Sequence, residues 1–364
     1  MKQLCILTVV DTLSATSMPV NEFVLYRHRC GFPFRQILMV FADSKEPFAM
    51  PDGIETLLIG ERTGSMRKAL KKIRKSCEER GERLVCHLHA QKSAMAFFWA
   101  SRGLGLRRHT LYTIHSSFGS RDLKYRLTSC LCTLLARKAN CVSASAFQQY
   151  QPLIRRIKGG NMLAITNGVD IERIERTLAE LGNSASHPDA DVLVCVGRII
   201  PIKNQAFLIR LLPSLPSMRL VLVGAESDAY PVRALAEELG VADRVVFTGM
   251  IPREEVFRKL TESRIFVSAS TVEGLPVSVL EAMAVGLIPV VSDIPPHREI
   301  AARCGFECVD TADPKAWVSR ILYLRSLGMG LDRLSSQIKE AVRENYSLTA
   351  MHEQYQSIYE QLAE

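Results

Sequence analysis

The 364-residue chain has no run of about 18 consecutive apolar residues, so nothing in it reads as a membrane-spanning helix. It has no internal repeat and no low-complexity tract, and its 47% hydrophobic and 23% charged content is that of a globular protein, which excludes fibrous and disordered classes. Ten cysteines are scattered without a single Cys-x-x-Cys pair, which argues against a disulfide scaffold and leaves them as reduced thiols. Cys304 and Cys308 have no second pair at ligand spacing, so no metal site is expected. The opening "MKQLCILTVV" lacks an Ala-x-Ala cleavage site and is rich in β-branched residues, so it reads as a first buried strand and the protein as cytoplasmic.

What is present is alternation. Seven short β-rich runs occupy the first half: "QLCILTVV", "RQILMVFAD", "ETLLIG", "RLVCHLHA", "HTLYTIHS", "ANCVSAS" and "MLAITNGVD". Five more occupy the second: "DVLVCVGR", "MRLVLVGA", "DRVVFTGM", "SRIFVSAS" and "LIPVVSD". Helical stretches lie between most of them, the pattern of parallel sheets covered by helices on both faces. The length suits two such domains. The expected division is 1–180, a polar linker at 181–190, 191–345, and a C-terminal amphipathic helix at 346–364 carrying Met351, Tyr355, Ile358 and Leu362 on one face.

The net charge of +8 is unevenly placed. Residues 1–180 hold 28 Lys/Arg against 15 Asp/Glu, a balance of +13; residues 181–364 hold 18 against 23, a balance of −5. The densest run, "RKALKKIRKSCEERGER" at 67–83, sets Leu70, Ile73 and Cys77 at helical spacing among cations. It reads equally as a solvated amphipathic helix and as a face for anionic lipid headgroups. A nucleic-acid partner is not expected, because no nucleic-acid-binding module accompanies the charge.

Ligands of open α/β sheets bind beyond the carboxyl ends of strands, so the strand exits carry the candidate chemistry. After "DVLVCV" come Arg198 and Lys203, two cations ahead of a helix N-terminus, fit for a diphosphate or for simple solvation. Gly224 ends the next strand and Gly249 the one after, where glycine admits a close ligand or simply makes the turn. In "SASTVEGLPVSVLEAMAVGLIPVVSD" the spacing predicts a loop through Gly274 and Leu275, Pro276 as the first helical residue, an apolar stripe of Val277, Leu280 and Ala284, and Gly286 as a left-handed stop. Glu273 then stands at the helix mouth, and Glu281 about 7 Å along the axis from Pro276. Each carboxylate can accept hydrogen bonds from two adjacent hydroxyls, or serve as a dipole partner and a surface residue respectively.

Taken in order, "VGRIIPIKNQ", "LVLVGAESD", "VVFTGMIPREEV" and the Glu-x7-Glu run resemble the C-terminal domain of family 4 retaining glycosyltransferases of the GT-B fold. "TIHSSFG", "CVSASAFQQ" and "AITNGVD" resemble that family's N-terminal half more weakly. The resemblance implies an α/β protein of two Rossmann-like, doubly wound parallel-sheet domains facing across a cleft. It implies a hexosyltransferase that moves a sugar from a nucleotide diphosphate donor, UDP-sugar favoured and GDP-sugar admitted, to a saccharide or lipid-linked acceptor, as in envelope polysaccharide or glycolipid synthesis. No cofactor is required in that reading.

By residue, the resemblance assigns the diphosphate to Arg198 and Lys203, the ribose to Glu281 and the donor sugar to Glu273. It sets the backbone of Gly274, Leu275, Pro276 and Val277 beside phosphate or sugar, with Gly224 and Met250 completing the donor set. His115 is implied near the transferred sugar as a positioning or proton-sharing group. His87 and His89 alternate along a strand and are expected to send at most one ring toward the ligand. The family's N-terminal Gly-Gly turn is absent: the chain reads "DTLSATSMPVNEF", where Ser14 to Ser17 stand in its place. Alternatives of another class are a nucleotide-sugar epimerase, which would act without an acceptor, and a catalytically silent binding protein.

Overall fold

The computed structural model describes residues 3–13, 19–42, 50–118, 122–181, 189–328 and 330–364. Ser14 to Ser17 and most of the expected linker lie outside them. The chain divides into two units, residues 1–166 with 349–364, and residues 167–348.

All twelve β-rich runs form strands. The first unit holds β1 (Leu4–Val10), β2 (Arg35–Val40), β3 (Glu55–Leu58), β4 (Arg83–Leu88), β5 (Thr110–Ile114), β6 (Lys138–Cys141) and β7 (Met162–Ala164) in the order β3-β2-β1-β4-β5-β6-β7. Every pairing is parallel; Leu7, for example, stands between Ile37 and Cys86. Central strands of such a sheet are covered on both faces, which is why β1 is buried at all seven positions. The order reverses direction between β1 and β4, and the connections leaving these two strands therefore diverge. At that point Asp11 accepts the Ser93 N–H (2.7 Å), and His89 leaves β4.

The second unit holds β8 (Asp189–Val196), β9 (Arg219–Val223), β10 (Val245–Gly249), β11 (Ser263–Ser268) and β12 (Ile288–Val291), ordered β10-β9-β8-β11-β12 and again wholly parallel. Its direction reverses between β8 and β11. Leu193, Val194, Leu222, Ile265, Phe266, Leu280 and Trp317 are buried around this sheet, each contributing roughly 1.5–3 kcal/mol by leaving water.

Three sequence expectations change. The unit boundary falls at 166/167 rather than in 181–190, because helix Ile171–Leu181 packs on helices Arg253–Thr261 and Val277–Val285 of the second unit. Pro276 precedes the helix rather than opening it: its φ/ψ of −80/86 is not helical and regular structure starts at Val277. The expected apolar stripe is instead burial on most sides, including Val279, Leu280, Ala282, Met283 and Val285, since helix Gly330–Tyr346 covers the outer face. Gly286 does end it, at φ +113, and a Cβ there would sit 2.5 Å from Ser335 Oγ and Lys339 Cε.

Helix Thr63–Glu79 turns Met66, Leu70, Ile73 and Cys77 into the first core. Three of its cations are held locally: Arg74 pairs with Glu78 (2.8 Å), Lys75 with Glu79 (3.7 Å), and Arg67 donates to the Ala100 and Arg102 carbonyls (2.7 Å each). The closing helix, Leu348–Ala363, belongs to the first unit from Thr349 on and buries Met351, Tyr355, Ile358, Tyr359 and Leu362.

Candidate active site

The direction change between β8 and β11 brings together side chains 70 residues apart. The loop after β8 carries Lys203 and the loop after β11 carries Glu273; Nζ donates to Oε1 at 2.6 Å. Both side chains are largely withdrawn from water, so the pair is a charged group at the floor of the strand exits and not a surface bridge. Arg198, on the same loop as Lys203, is exposed, and its carbonyl accepts from the Gln205 amide (2.9 Å). His297, wholly buried after β12, shares the field of this pair. Its Nδ1 donates to the Ser292 carbonyl (2.8 Å) while Nε2 has no partner, and burial pushes its pKa down to about 4, leaving it neutral.

Glu281 is buried, and the Arg253 guanidinium donates to its Oε1. Burial pushes its carboxyl above the ordinary range; the charges of Arg253 and Arg173 oppose that rise and Asp170 adds to it. Asp170 and Arg173 follow "NGV" at the start of the second unit, which brings that segment beside Glu281. Glu281 is therefore neither a surface residue nor an isolated carboxylate.

Gly224 has a specific reason to lack a side chain. A Cβ there would lie 2.2 Å from the Gly197 carbonyl oxygen, so the close approach at this strand exit is made by the β8 loop itself. Met250 is half-exposed just past β10. Of the backbone at 274–277, the Val277 N–H donates to the Leu275 carbonyl (3.0 Å) and is engaged within the turn.

In the first unit His115, beyond β5, shares a hydrogen bond through Nε2 with His89 Nδ1 (3.0 Å), the rings stacked at 5.3 Å. Burial holds His115 neutral, with a pKa pushed down to about 4, and pushes His87 and His89 well below the usual histidine value. The expectation that at most one of His87 and His89 turns toward a ligand is corrected: strand residues two apart share a face, and their ring centroids are 3.8 Å apart. His87 is fixed by Tyr359 Oη (2.7 Å) and Thr113 Oγ1 (2.6 Å), Thr113 by Asn140 (2.7 Å), and Asn140 by Tyr355 (2.8 Å). Cys5, Cys77 and Glu82 gather ligand-type atoms within 4.8 Å of one another, but Arg35 already donates to both Cys77 Sγ (3.3 Å) and Glu82 (2.8 Å), so a cation occupies that cluster.

Neither Arg253 nor His297 stands out in the sequence. The signal available for Arg253 was its place directly after Pro252 at a strand exit, opening a helix; for His297, nothing local separates it from a core histidine.

Residues 180–344 match the family of glycosyl transferases group 1. The match covers less than half of the chain. Over 115 residues it is 38% identical to a GDP-mannose-dependent alpha-(1-6)-phosphatidylinositol monomannoside mannosyltransferase of Mycolicibacterium smegmatis, covering 29% of this chain and 30% of that one. Over 148 residues it is 33% identical to a GDP-mannose:cellobiosyl-diphosphopolyprenol alpha-mannosyltransferase of Xanthomonas oryzae, covering 39% and 37%. The matches thus span about a third of these relatives. Among solved structures, the sucrose-phosphate synthase of Thermosynechococcus elongatus superposes with a TM-score of 0.79 over 99% of both chains at 17% identity. HepE of Anabaena, solved with UDP and glucose, does so at 0.75 over 99% of this chain, also at 17% identity. At that identity the likeness shows the fold alone, which is GT-B, with one α/β domain built on each parallel sheet.

Proposed function

We propose that the protein transfers a hexose from a nucleoside diphosphate sugar to a saccharide or lipid-linked acceptor, with retention of anomeric configuration, and that the strand exits of the second unit hold the donor. The observation that carries this reading is the Lys203–Glu273 pair at the point where the second sheet reverses direction. A donor diphosphate replaces Glu273 as the counter-ion of Lys203, with Arg198 as the second cation, and the released carboxylate accepts from the sugar hydroxyls. Lys203 then stabilises the charge that builds on the leaving diphosphate as the glycosidic bond breaks. Glu281, whose Oε1 is taken by Arg253, accepts from the ribose through its other oxygen. The donor phosphate helps deprotonate the attacking acceptor hydroxyl, while His115, neutral and oriented by His89, is a hydrogen-bond acceptor for a sugar hydroxyl.

The family resemblance favours a UDP-sugar. The names of both sequence relatives favour GDP-mannose instead, so GDP-mannose is the first donor to test. A thermal-shift series with GDP-mannose, GDP, UDP-glucose and UDP reads donor choice, since a bound donor stabilises the folded state. One guanosine or uridine pair is expected to raise the melting temperature in the wild type and to lose that effect in Lys203→Ala. Full transfer activity in Glu273→Ala, or conversion of the donor sugar without any acceptor, overturns the reading.

A further inference from the structure

Helix Leu123–Leu135 is inverted relative to an ordinary surface helix. Its inward residues are small and polar: Ser129 and Thr133 are buried and meet the Tyr150 hydroxyl (3.0 and 2.8 Å), and Cys132 is buried beside them. Four of its five leucines point outward, while Leu135 packs against the core. Leu123, Leu127, Leu131 and Leu134 are 68%, 61%, 43% and 39% exposed, and their spacing of four, four and three places them in one stripe. The adjoining helix Pro152–Lys158 exposes Leu153 and Ile157, again four apart. Leu134 and Ile157 meet in one groove of about 540 Å³, whose other walls carry Arg107, Arg108, Arg137 and Lys158. Contiguous apolar surface of this extent marks an interaction site in a protein otherwise able to bury its leucines.

The surrounding charge selects the occupant. Residues 83–169 contain thirteen Lys/Arg and one acidic residue, Asp122. Lys124 and Arg126 flank the stripe, and the Arg108 and Arg137 guanidinium groups pair with no carboxylate among the described residues. A second copy of the chain would bring cations to cations across this face. A bilayer bearing anionic headgroups satisfies both features: phosphates among the arginines of the groove, acyl chains against the leucines.

We propose that the Leu123–Leu134 stripe with Leu153, Ile157 and the Arg107/Arg108/Arg137 groove is a docking surface for an anionic membrane. It rests on the glycosyl-transfer reading only in that it names where a lipid-linked acceptor would be met; the binding itself needs no sugar donor. The contact moves from the basic run at 67–83, whose apolar residues are spent in the core, to a face whose apolar residues are not.

The test is co-sedimentation of the full chain with phosphatidylcholine vesicles, with and without one part in four of phosphatidylglycerol, in the absence of nucleotide sugar. The wild type is expected to pellet with the anionic vesicles. Leu127→Gln with Leu131→Gln should weaken binding by about tenfold or more, and Arg108→Glu with Arg137→Glu should weaken it about tenfold on anionic vesicles while leaving neutral ones unchanged. Both pairs lie on the surface, so melting temperature and transfer to a soluble acceptor should match the wild type. Those two readings separate failure of docking from failure of the catalytic assignment. Wild-type protein that stays in the supernatant, or a leucine variant that pellets like the wild type, overturns the proposal. So does a wild-type dimer in sedimentation velocity that Leu127→Gln with Leu131→Gln dissolves, which would assign the stripe to a second copy.

Discussion

Replacing Arg253 by alanine isolates the Glu281 carboxylate inside the second unit. The two side chains are 27% and 7% accessible, so the carboxylate is the buried member and the guanidinium its route to solvent. Removing one partner of a fully buried pair costs 3–5 kcal/mol, because the remaining charge has neither water nor a counter-ion. Arg253 is partly wet, and Arg173 still acts on Glu281, so the expected cost is about 2–3 kcal/mol at neutral pH. The cost should depend on pH with a definite sign. Burial already raises the Glu281 carboxyl, and losing Arg253 raises it further. A carboxyl whose folded-state pKa exceeds its unfolded value binds more protons folded than unfolded, so stability falls as pH rises from the unfolded value through the folded one. The Arg253→Ala penalty should therefore be full at neutral pH and shrink toward about pH 4.3, the ordinary glutamate value.

The chain supplies its own probe for this measurement. Of two tryptophans, Trp99 is exposed in the first unit and Trp317 is buried in the second. In a Trp99→Phe background, Trp317 fluorescence during urea unfolding reports the second unit alone. Adding Glu281→Gln completes a double-mutant cycle, with an expected coupling of about 2 kcal/mol at neutral pH. Additive single effects, or an Arg253→Ala cost that is the same in acid, would refute the reasoning.

Lys203→Met should lower transfer about 10²–10³-fold by removing charge stabilisation of the leaving group and, by leaving the largely buried Glu273 without its counter-ion, should cost about 2–3 kcal/mol in the Trp317 assay; a loss of activity no greater than the fraction of the second unit unfolded would mean that the pair is structural. Arg27 is wholly buried and pairs with no carboxylate among the described residues; it lies over the rings of Phe23 and Tyr359 (5.8 and 5.5 Å) with Tyr355 nearby, and burial lowers its pKa. Arg27→Met should therefore stabilise the first unit by roughly 1–4 kcal/mol in calorimetry, and a lowered melting temperature would contradict it. Gly224→Ala should cost roughly 3 kcal/mol, because its Cβ collides with the Gly197 carbonyl. Gly249→Ala, at φ +68 with nothing within 4 Å, should cost only the 1–2 kcal/mol of a left-handed backbone; equal costs in the Trp317 assay would rule out the collision.

The sequence by itself determined the twelve strands and their parallel class, because short continuous β-rich runs separated by helical stretches have few other ways to bury both faces. It also determined local stops such as Gly286, where φ is positive and no side chain fits, and the motif residues Arg198, Lys203, Glu273 and Glu281 at or near strand exits. It misread geometry that depends on the partner element. Helix Val277–Val285 is covered on its outer side and the boundary lies at 166/167, because each outcome is set by what packs against the segment; that His87 and His89 share a face follows instead from the two-residue period of a strand. Only the tertiary structure decided the pairings: Lys203 with Glu273 across 70 residues, Glu281 with Arg253 across 28, and His87 with Tyr359 across 272. Only it turned Leu123, Leu127, Leu131 and Leu134 outward, against the usual rule that the apolar stripe faces the core. A local pattern states which residues share a side of a helix or strand; which side is covered, and by which charge, is a property of elements far apart in the chain.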